Sequence, residues 1–533
     1  MIIKNNLRKI VALLGVAAVT LSSFSACGQK NESSVNITLG SEPNTLDPTL
    51  NLPMDARSYI SCLFEGLVNL DKNGSLTEGI AESWNSNSEN TVYTFTIRED
   101  ALWSNGEKIT SEDFKYSWLR VLNPETGSGL ASFLYYIKNA ALYNSGEVNA
   151  DEVGISTPDE RTIVVEMESP CAFFDHMVAT QPYFPVYRAY VEEYGDEWIN
   201  SADSFVSNGA FVLKEWNHNQ SIVLDKNPKF WNASEVKSDM ITFELLDDSS
   251  VASNAFETKQ LSYVENVMTY DEMAQISSVQ EDDSTVVKFL SMNLGREKFY
   301  NKNVREAITI ALDREQIANY VGDGAAPLCS FIPYGFQNDA LNCDFRKDGI
   351  SPEQYVESKA DISKAKKLLA DAGYTDSNPL KIDYLTNTSS QNVLLAEIIK
   401  SQLEQAGIDV NIVAVETKVF NDMRADRDYD VVASSWAAEY PDISSFLYEF
   451  QSHEFKNYAE YENPEYDALY AQLLQDSSDS RMELVHRAED MIMNDVAAVP
   501  LFMRNRSFIT NDGLNGYYHD ITGCTVLKYV WEE

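Results

Sequence analysis

Basic residues are scarce in this 533-residue chain: 41 lysines and arginines face 82 aspartates and glutamates, for a formal net charge of −41. A phosphate backbone is bound by a basic surface, so nucleic acid is excluded as a partner. The carboxylates are spread along the chain rather than gathered in one run, which reads as a solvated surface. Histidine is rarer still. His176, His218, His453, His486 and His519 are the whole set, and none stands with another His, Cys or carboxylate at a metal-ligand spacing. No two cysteines form a CxxC pair. Apart from Cys27 they are Cys62, Cys171, Cys329, Cys343 and Cys524, an odd number that excludes a fully paired framework. Cys329 with Cys343 could close a loop. Also missing are HExxH, GxSxG, a P-loop and GxGxxG. Ser363-Lys364-Ala365-Lys366 matches SxxK but lacks its SDN and KTG partners, and Ser363 stands where a helix N-cap is expected. The sequence therefore carries no recognised catalytic motif, and no enzyme is expected. A secreted hydrolase working with two carboxylates is the distant alternative, since the separation of such a pair is visible only in space.

Long apolar runs are lacking too. After the first thirty residues no stretch approaches the roughly 20 residues that cross a bilayer. The beginning of the chain carries a different signal. Lys4, Arg8 and Lys9 precede an uncharged run from Ile10 to Leu21, followed by Phe24-Ser25-Ala26-Cys27. That is the pattern of a secretory signal peptide. The small residues before Cys27 resemble a bacterial lipobox, with Phe24 where Leu is usual, which implies a diacylglycerol on the Cys27 thiol. Gly28 to Ser34 is polar and aperiodic, as a tether is. Hydrophobic content of 44% is ample for cores, and the length suits two to four domains. No internal repeat and no Pro/Gly/Ser-rich linker divides the chain, which is natural if it crosses between lobes several times.

Periodicity gives a mixed α/β reading. Tyr93, Phe95 and Ile97 alternate with threonines, and Ile163, Val165 and Met167 repeat the pattern. Phe211–Leu213 and Ile222–Leu224 flank Asn217-His218-Asn219 as a hairpin. Val286–Met292 is a further strand. Asn303 with Glu306 reads as a capping box ahead of Val304, Ala307, Ile308 and Ala311. Helices are expected over 363–372 and 390–406, closed by Gly373 and Gly407. Val410, Ile412 and Ala414 alternate as a strand, and 429–433 is a short buried one. Trp84, Trp103, Trp118 and Trp231 are expected in cores, and Asn105-Gly106 and Asn208-Gly209 in turns.

A set of short segments carries a resemblance. In order they are Gly40-Ser41-Glu42-Pro43-Asn44-Thr45-Leu46-Asp47-Pro48, Phe64-Glu65-Gly66-Leu67, Ala81-Glu82-Ser83-Trp84, Leu102-Trp103-Ser104-Asn105-Gly106, Thr110-Ser111-Glu112-Asp113-Phe114 and Ser117-Trp118-Leu119-Arg120. Later come Ser207-Asn208-Gly209-Ala210-Phe211, Lys226-Asn227-Pro228-Lys229-Phe230-Trp231, Val304-Arg305-Glu306-Ala307, Ala311-Leu312-Asp313-Arg314 and Ala365-Lys366-Lys367-Leu368-Leu369. Each is weak alone, but together they resemble the oligopeptide-binding lipoproteins of peptide ABC importers, extracellular solute-binding protein family 5. The resemblance implies an α/β, two-lobed, periplasmic-binding-protein-like clamshell of type II, cluster C, with an extra domain in the discontinuous lobe. The implied division is a lipoprotein signal peptide at 1–27, a tether at 28–40, lobe I in parts 41–78, 201–295 and 499–533, the extra domain at 79–200, and lobe II at 296–498. The chain would cross between lobes near Phe289–Asn293 and Val499–Met503.

The function implied is that of a lipid-anchored receptor on the outer face of the cytoplasmic membrane, extracellular or periplasmic. It would bind short peptides between its lobes as a monomer and pass them to ABC transporter permease subunits, with no cofactor and no metal. Relatives of this fold also take signalling peptides, chelated nickel or haem, and fold alone does not choose among them. A peptide of any sequence offers an ammonium, a carboxylate and a ladder of amides, so a promiscuous receptor needs an acid, a cation and an exposed strand edge. By resemblance Glu439, three residues after Trp436, is the acid for the ammonium, with Asp442 the next candidate. Backbone groups of Ser434, Ser435, Trp436, Ala437 and Ala438 form part of the ladder. Arg424 stands where some relatives hold the peptide carboxylate, while a second arginine of those relatives is replaced by Ala433. Leu52, Pro53 and Met54 match a loop that lines the cleft.

Overall fold

Alternating residues become strands where the sequence places them. The computed structural model describes residues 33–40, 42–50, 55–282, 286–322, 324–338, 341, 343–438, 440–452, 454, 456–476, 478 and 480–533. The signal peptide, Cys27, Leu52, Pro53, Met54, Glu439 and His453 therefore lie outside the described residues. Val92–Ile97 is a strand with Tyr93, Phe95 and Ile97 buried, and Thr162–Glu166 pairs with it antiparallel through Phe95 and Ile163. Phe211–Asn217 and Ser221–Lys226 form the hairpin. Gly373 and Gly407, both at positive φ, end the helices Ile362–Asp371 and Ser390–Gln405 as left-handed caps do.

Several local readings change. Asn301, not Asn303, caps the helix Lys302–Ile310, its side chain accepting from Asn303 N at 3.0 Å. Asp361 caps Ile362–Asp371 by accepting from Lys364 N at 2.9 Å, which leaves Ser363 inside the first turn. Asn208-Gly209 is not a turn. Gly209 N donates to Leu63 O at 2.8 Å, and a Cβ there would lie 2.4 Å from the Leu63 carbonyl carbon. The Asn208 side chain bridges Glu65 N and O at 3.1 and 2.9 Å, so the pair lets two distant segments touch. Trp103 and Trp118 are fully buried, whereas Trp84 and Trp231 only rim their cores. All five described cysteines are free thiols; Cys343 faces Asn338 across a two-residue ladder and not Cys329.

Two large sheets organise the chain. The seven-stranded one runs, edge to edge, Gln280–Asp282, Arg506–Thr510, Tyr263–Glu265, Ser34–Thr38, Met240–Glu244, Ser221–Lys226 and Phe211–Asn217. It joins early, middle and late stretches of sequence in one layer. The six-stranded one runs Ala325–Pro327, Val499–Arg504, Val287–Met292, Val431–Trp436, Leu380–Asn387 and Ile408–Val415. A separate antiparallel sheet of four strands, Ala81–Ser86, Val92–Ile97, Thr162–Glu166 and Ile155–Asp159, has its own core around Trp103 and Trp118. The six-stranded sheet is covered on both faces. Val287, Phe289 and Trp436 enter one core, and Leu290, Met292 and Val431 enter the other, beneath the helices Lys302–Ile310 and Ser390–Gln405.

The chain passes between the two large sheets twice. It leaves the seven-stranded sheet after Asp282 to enter the other at Val287, and returns between Arg504 and Arg506. The boundaries expected at 295/296 and 498/499 are thus displaced by one strand each. The physical reason is that Val287–Met292 and Val499–Arg504 pair with each other, Phe289 opposite Pro500, inside the six-stranded sheet.

The signature residues at the start of the chain form a clamp. Arg120, on the helix Ser111–Leu122, makes a fork with Asp47 at 3.1 and 2.7 Å and also donates to Thr49 Oγ1. Trp198 Nε1 donates to Asp47 at 3.2 Å, and Gln181 Nε2 donates to Pro48 O at 2.9 Å. The segment just before 52–54 is therefore held by Arg120, Gln181 and Trp198 together. Asp313, expected to cap or pair, caps Arg314–Val321.

Candidate ligand-binding site

The strand Val431–Trp436 starts two residues later than the apolar run suggests and continues through both serines to the tryptophan. Antiparallel pairing with Val287–Met292 covers its whole length, Trp436 opposite Val287 and Val431 opposite Met292. On the other side the strand Leu380–Asn387 shares register only at Tyr384–Val431 and Leu385–Val432. The chain departs there into the helix Ser390–Gln405, capped by Ser389. Among the described strands, Ala433 to Trp436 is consequently paired on one side alone. Its other edge presents main-chain donors and acceptors, which a closed site must satisfy.

Side chains fix this edge. Ser434 is buried and its hydroxyl meets that of Ser291 at 3.2 Å. Trp436 is buried, donates from Nε1 to Ser445 O at 2.7 Å and packs edge-on to Tyr448 at 5.2 Å. Lys456 stands 5.4 Å over the Trp436 ring. Ser435 points the opposite way, is exposed, and accepts a hydrogen bond from Lys288 Nζ at 3.0 Å. Ala437 is half-buried and Ala438 buried. Tyr440 is buried in the core of the four-stranded sheet, stacked on Phe173 at 4.8 Å with planes 6° apart. Small residues at 433–435 and 437–438 thus leave the backbone accessible between two aromatic anchors.

Asp442 is already committed. It takes both prongs of Arg481 at 2.9 and 2.7 Å and accepts from Ser444 N at 2.9 Å. Burial pushes its carboxyl upward most strongly, but the Arg481 charge together with the hydrogen bonds from Arg481 and Ser444 holds it below the usual range. It has no charge to spare for a ligand amine, so the alternative to Glu439 fails.

Arg424 lies in the last turn of the helix Thr417–Ala425. Its guanidinium sits 4.5 Å from the Tyr458 ring centre and 5.3 Å from that of Phe420, and its Nε is buried without a hydrogen-bond partner. Two further cations, not foreseen from the sequence, stand near it. Lys288 is flanked by Val287 and Phe289, and Arg504 ends the Val499–Arg504 strand. Burial lowers the Lys288 amine to about 8, with the Arg504 and Arg424 charges adding to the effect. None of the three forms an ion pair among the described residues. A signal existed in the sequence. Each of Lys288 and Arg504 interrupts or ends an apolar run that needs no charge for its fold.

Open strand edge, inter-sheet crossings and separate sheet cores define a solute-binding protein of the two-lobed, type II clamshell class. The profile "Bacterial extracellular solute-binding proteins, family 5 Middle" matches residues 75–458. The dipeptide-binding protein DppE of Bacillus subtilis is 31% identical over 500 residues, covering 92% of this chain and 90% of that protein. The periplasmic oligopeptide-binding protein OppA of Salmonella typhimurium is 31% identical over 520 residues, covering 95% and 94%. The unliganded open form of the murein tripeptide-binding protein MppA superposes with a TM-score of 0.84 at 27% identity, over 94% of this chain and 98% of that one. The Haemophilus influenzae OppA complex with RPPGFSPFR superposes at 0.70 with 28% identity, over 95% and 100%. The chain belongs to the bacterial extracellular solute-binding proteins, family 5, and is a binding protein rather than an enzyme.

Proposed function

We propose that this protein captures short peptides outside the cell and delivers them to the permease of an ABC importer, held at the membrane through a lipid on Cys27. The observation that carries the reading is the one-sided strand from Ala433 to Trp436, whose free edge suits an extended main chain regardless of its side chains. Relatives named for dipeptide and oligopeptide binding support it. In this reading one lobe comprises 34–78, 201–286 and 505–533, with the strand Ser34–Thr38 in its sheet where a tether was expected, and carries the extra domain at 79–200. The other comprises 287–504, because its sheet absorbs the strands Val287–Met292 and Val499–Arg504. Ser434 to Ala438 supply backbone, Leu52, Pro53 and Met54 face the ligand, and Arg424 stands at the anionic pole. Glu439 takes the ammonium. A receptor for signalling peptides is the second reading, favoured by the likeness to the pheromone receptor PrgZ, with a TM-score of 0.70 at 25% identity.

Calorimetry on wild type and Glu439→Gln, each with a free and an N-acetylated peptide, tests the assignment as a double-mutant cycle. Stranding one partner of a desolvated charge pair costs about 2–5 kcal/mol. The substitution should therefore weaken the free peptide roughly 30-fold or more and change the acetylated one little. A coupling energy near zero would move the amine elsewhere.

A further inference from the structure

The six-stranded sheet holds a cavity of about 320 Å³ on its helix-covered face. Lys288, Arg504, Ser435, Gln391, Asn392 and Phe502 are among its lining residues, and no acid lines it among the described residues. Elsewhere in the protein five deeply placed cations face carboxylates, Arg481 with Asp442, Arg346 with Glu489, Arg506 with Glu265, Lys528 with Glu65 and Arg120 with Asp47, while the fully buried Arg314 donates to backbone carbonyls of Thr309, Leu312, Glu357 and Pro500. In a chain with twice as many acids as bases, two cationic side chains lining one cavity with neither an acid nor a backbone carbonyl bonded to them among the described residues stand out.

We propose that Lys288 and Arg504, with Ser435, form a carboxylate subsite that makes this receptor select ligands carrying an anionic group. The inference rests on the peptide reading. It assigns the anionic pole to residues beyond Arg424, whose guanidinium is stacked on Tyr458. Ser435 belongs to the open edge itself, so a main chain lying along that edge delivers a carboxylate to the Lys288 amine, already 3.0 Å from the Ser435 hydroxyl. A guanidinium matches a carboxylate with two parallel hydrogen bonds, and the Asn392 and Gln391 amides line the same space. An incoming carboxylate also relieves the mutual repulsion that, with burial, depresses the Lys288 amine. The carboxylate could come from the peptide C-terminus or from an acidic side chain.

Calorimetry with three peptides separates these sources: tetra-alanine as free acid, tetra-alanine amide, and Ala-Ala-Ala-Glu amide. Wild type should prefer at least one carboxylate-bearing peptide over the plain amide by about tenfold or more. Lys288→Met and Arg504→Gln should each bring that ratio close to one. The preferred peptide identifies the source. Equal binding of all three by wild type overturns the subsite and leaves the peptide reading standing. Binding of none overturns the peptide reading. Glutarate then decides the subsite by thermal shift: stabilisation of wild type but of neither variant upholds it, and no shift in wild type overturns it.

Discussion

Lys288 lets the site be probed through stability alone. Below pH 8 the folded protein holds a charged amine against burial and the charges of Arg504 and Arg424, which together lower its pKa from the ordinary 10.5 to about 8. At about 1.4 kcal/mol per pH unit, that gap sets a ceiling of about 3.5 kcal/mol on the penalty. The side chain is half-buried and partly screened, so about 1–2 kcal/mol is expected. Lys288→Met keeps an apolar stem of similar length and removes the charge. It should stabilise the protein by that amount at pH 6.5. The pH dependence follows from linkage. Between pH 8 and 10.5 the unfolded chain binds a proton that the folded chain does not, so wild type gains stability as pH rises through that window. The advantage of the variant should therefore shrink from pH 8 upward and vanish near 10.5. Urea unfolding of both proteins at pH 6.5 and 9.5 reads the effect. A variant no more stable than wild type at pH 6.5, or an advantage equal at both pH values, would refute the reasoning. A functional residue that costs stability is a common trade-off.

Three further outcomes follow from the structure and the proposed role. Arg120→Met strands Asp47, which is almost fully buried, and should cost about 3–5 kcal/mol in chemical unfolding, partly recovered in the double variant with Asp47→Asn. Saturating peptide should shrink the radius of gyration in small-angle scattering as the lobes close over it, and a bound peptide with no change in radius would count against closure. Cys27→Ala should move the protein from the detergent phase to the aqueous phase on partitioning, and identical behaviour of the two forms would remove the lipid anchor from the account.

The fold was legible where periodicity and order carry it. Alternation gave the Val92–Ile97 and Thr162–Glu166 strands, and glycines gave two helix ends. What sequence could not supply was three-dimensional accounting. Asn208-Gly209 looks like a turn until Leu63, about 145 residues away, is brought against it. Asp442 looks like a free acid until Arg481 is seen across from it. The candidate segment at 431–438 was found by resemblance, but its open edge depends on where the Leu380–Asn387 strand turns away. The cationic neighbours were hidden for the same reason, since Lys288 and Arg504 come from strands more than 200 residues apart that meet only in the sheet.

The central claim, that the cleft holds peptides, is most directly tested by native mass spectrometry of the protein purified without denaturation and then exposed to a defined tryptic digest. The account predicts adducts whose masses, after dissociation and fragmentation, read as short peptides. Retention of non-peptide molecules alone, or a spectrum in which no peptide from the digest is ever bound, would contradict it.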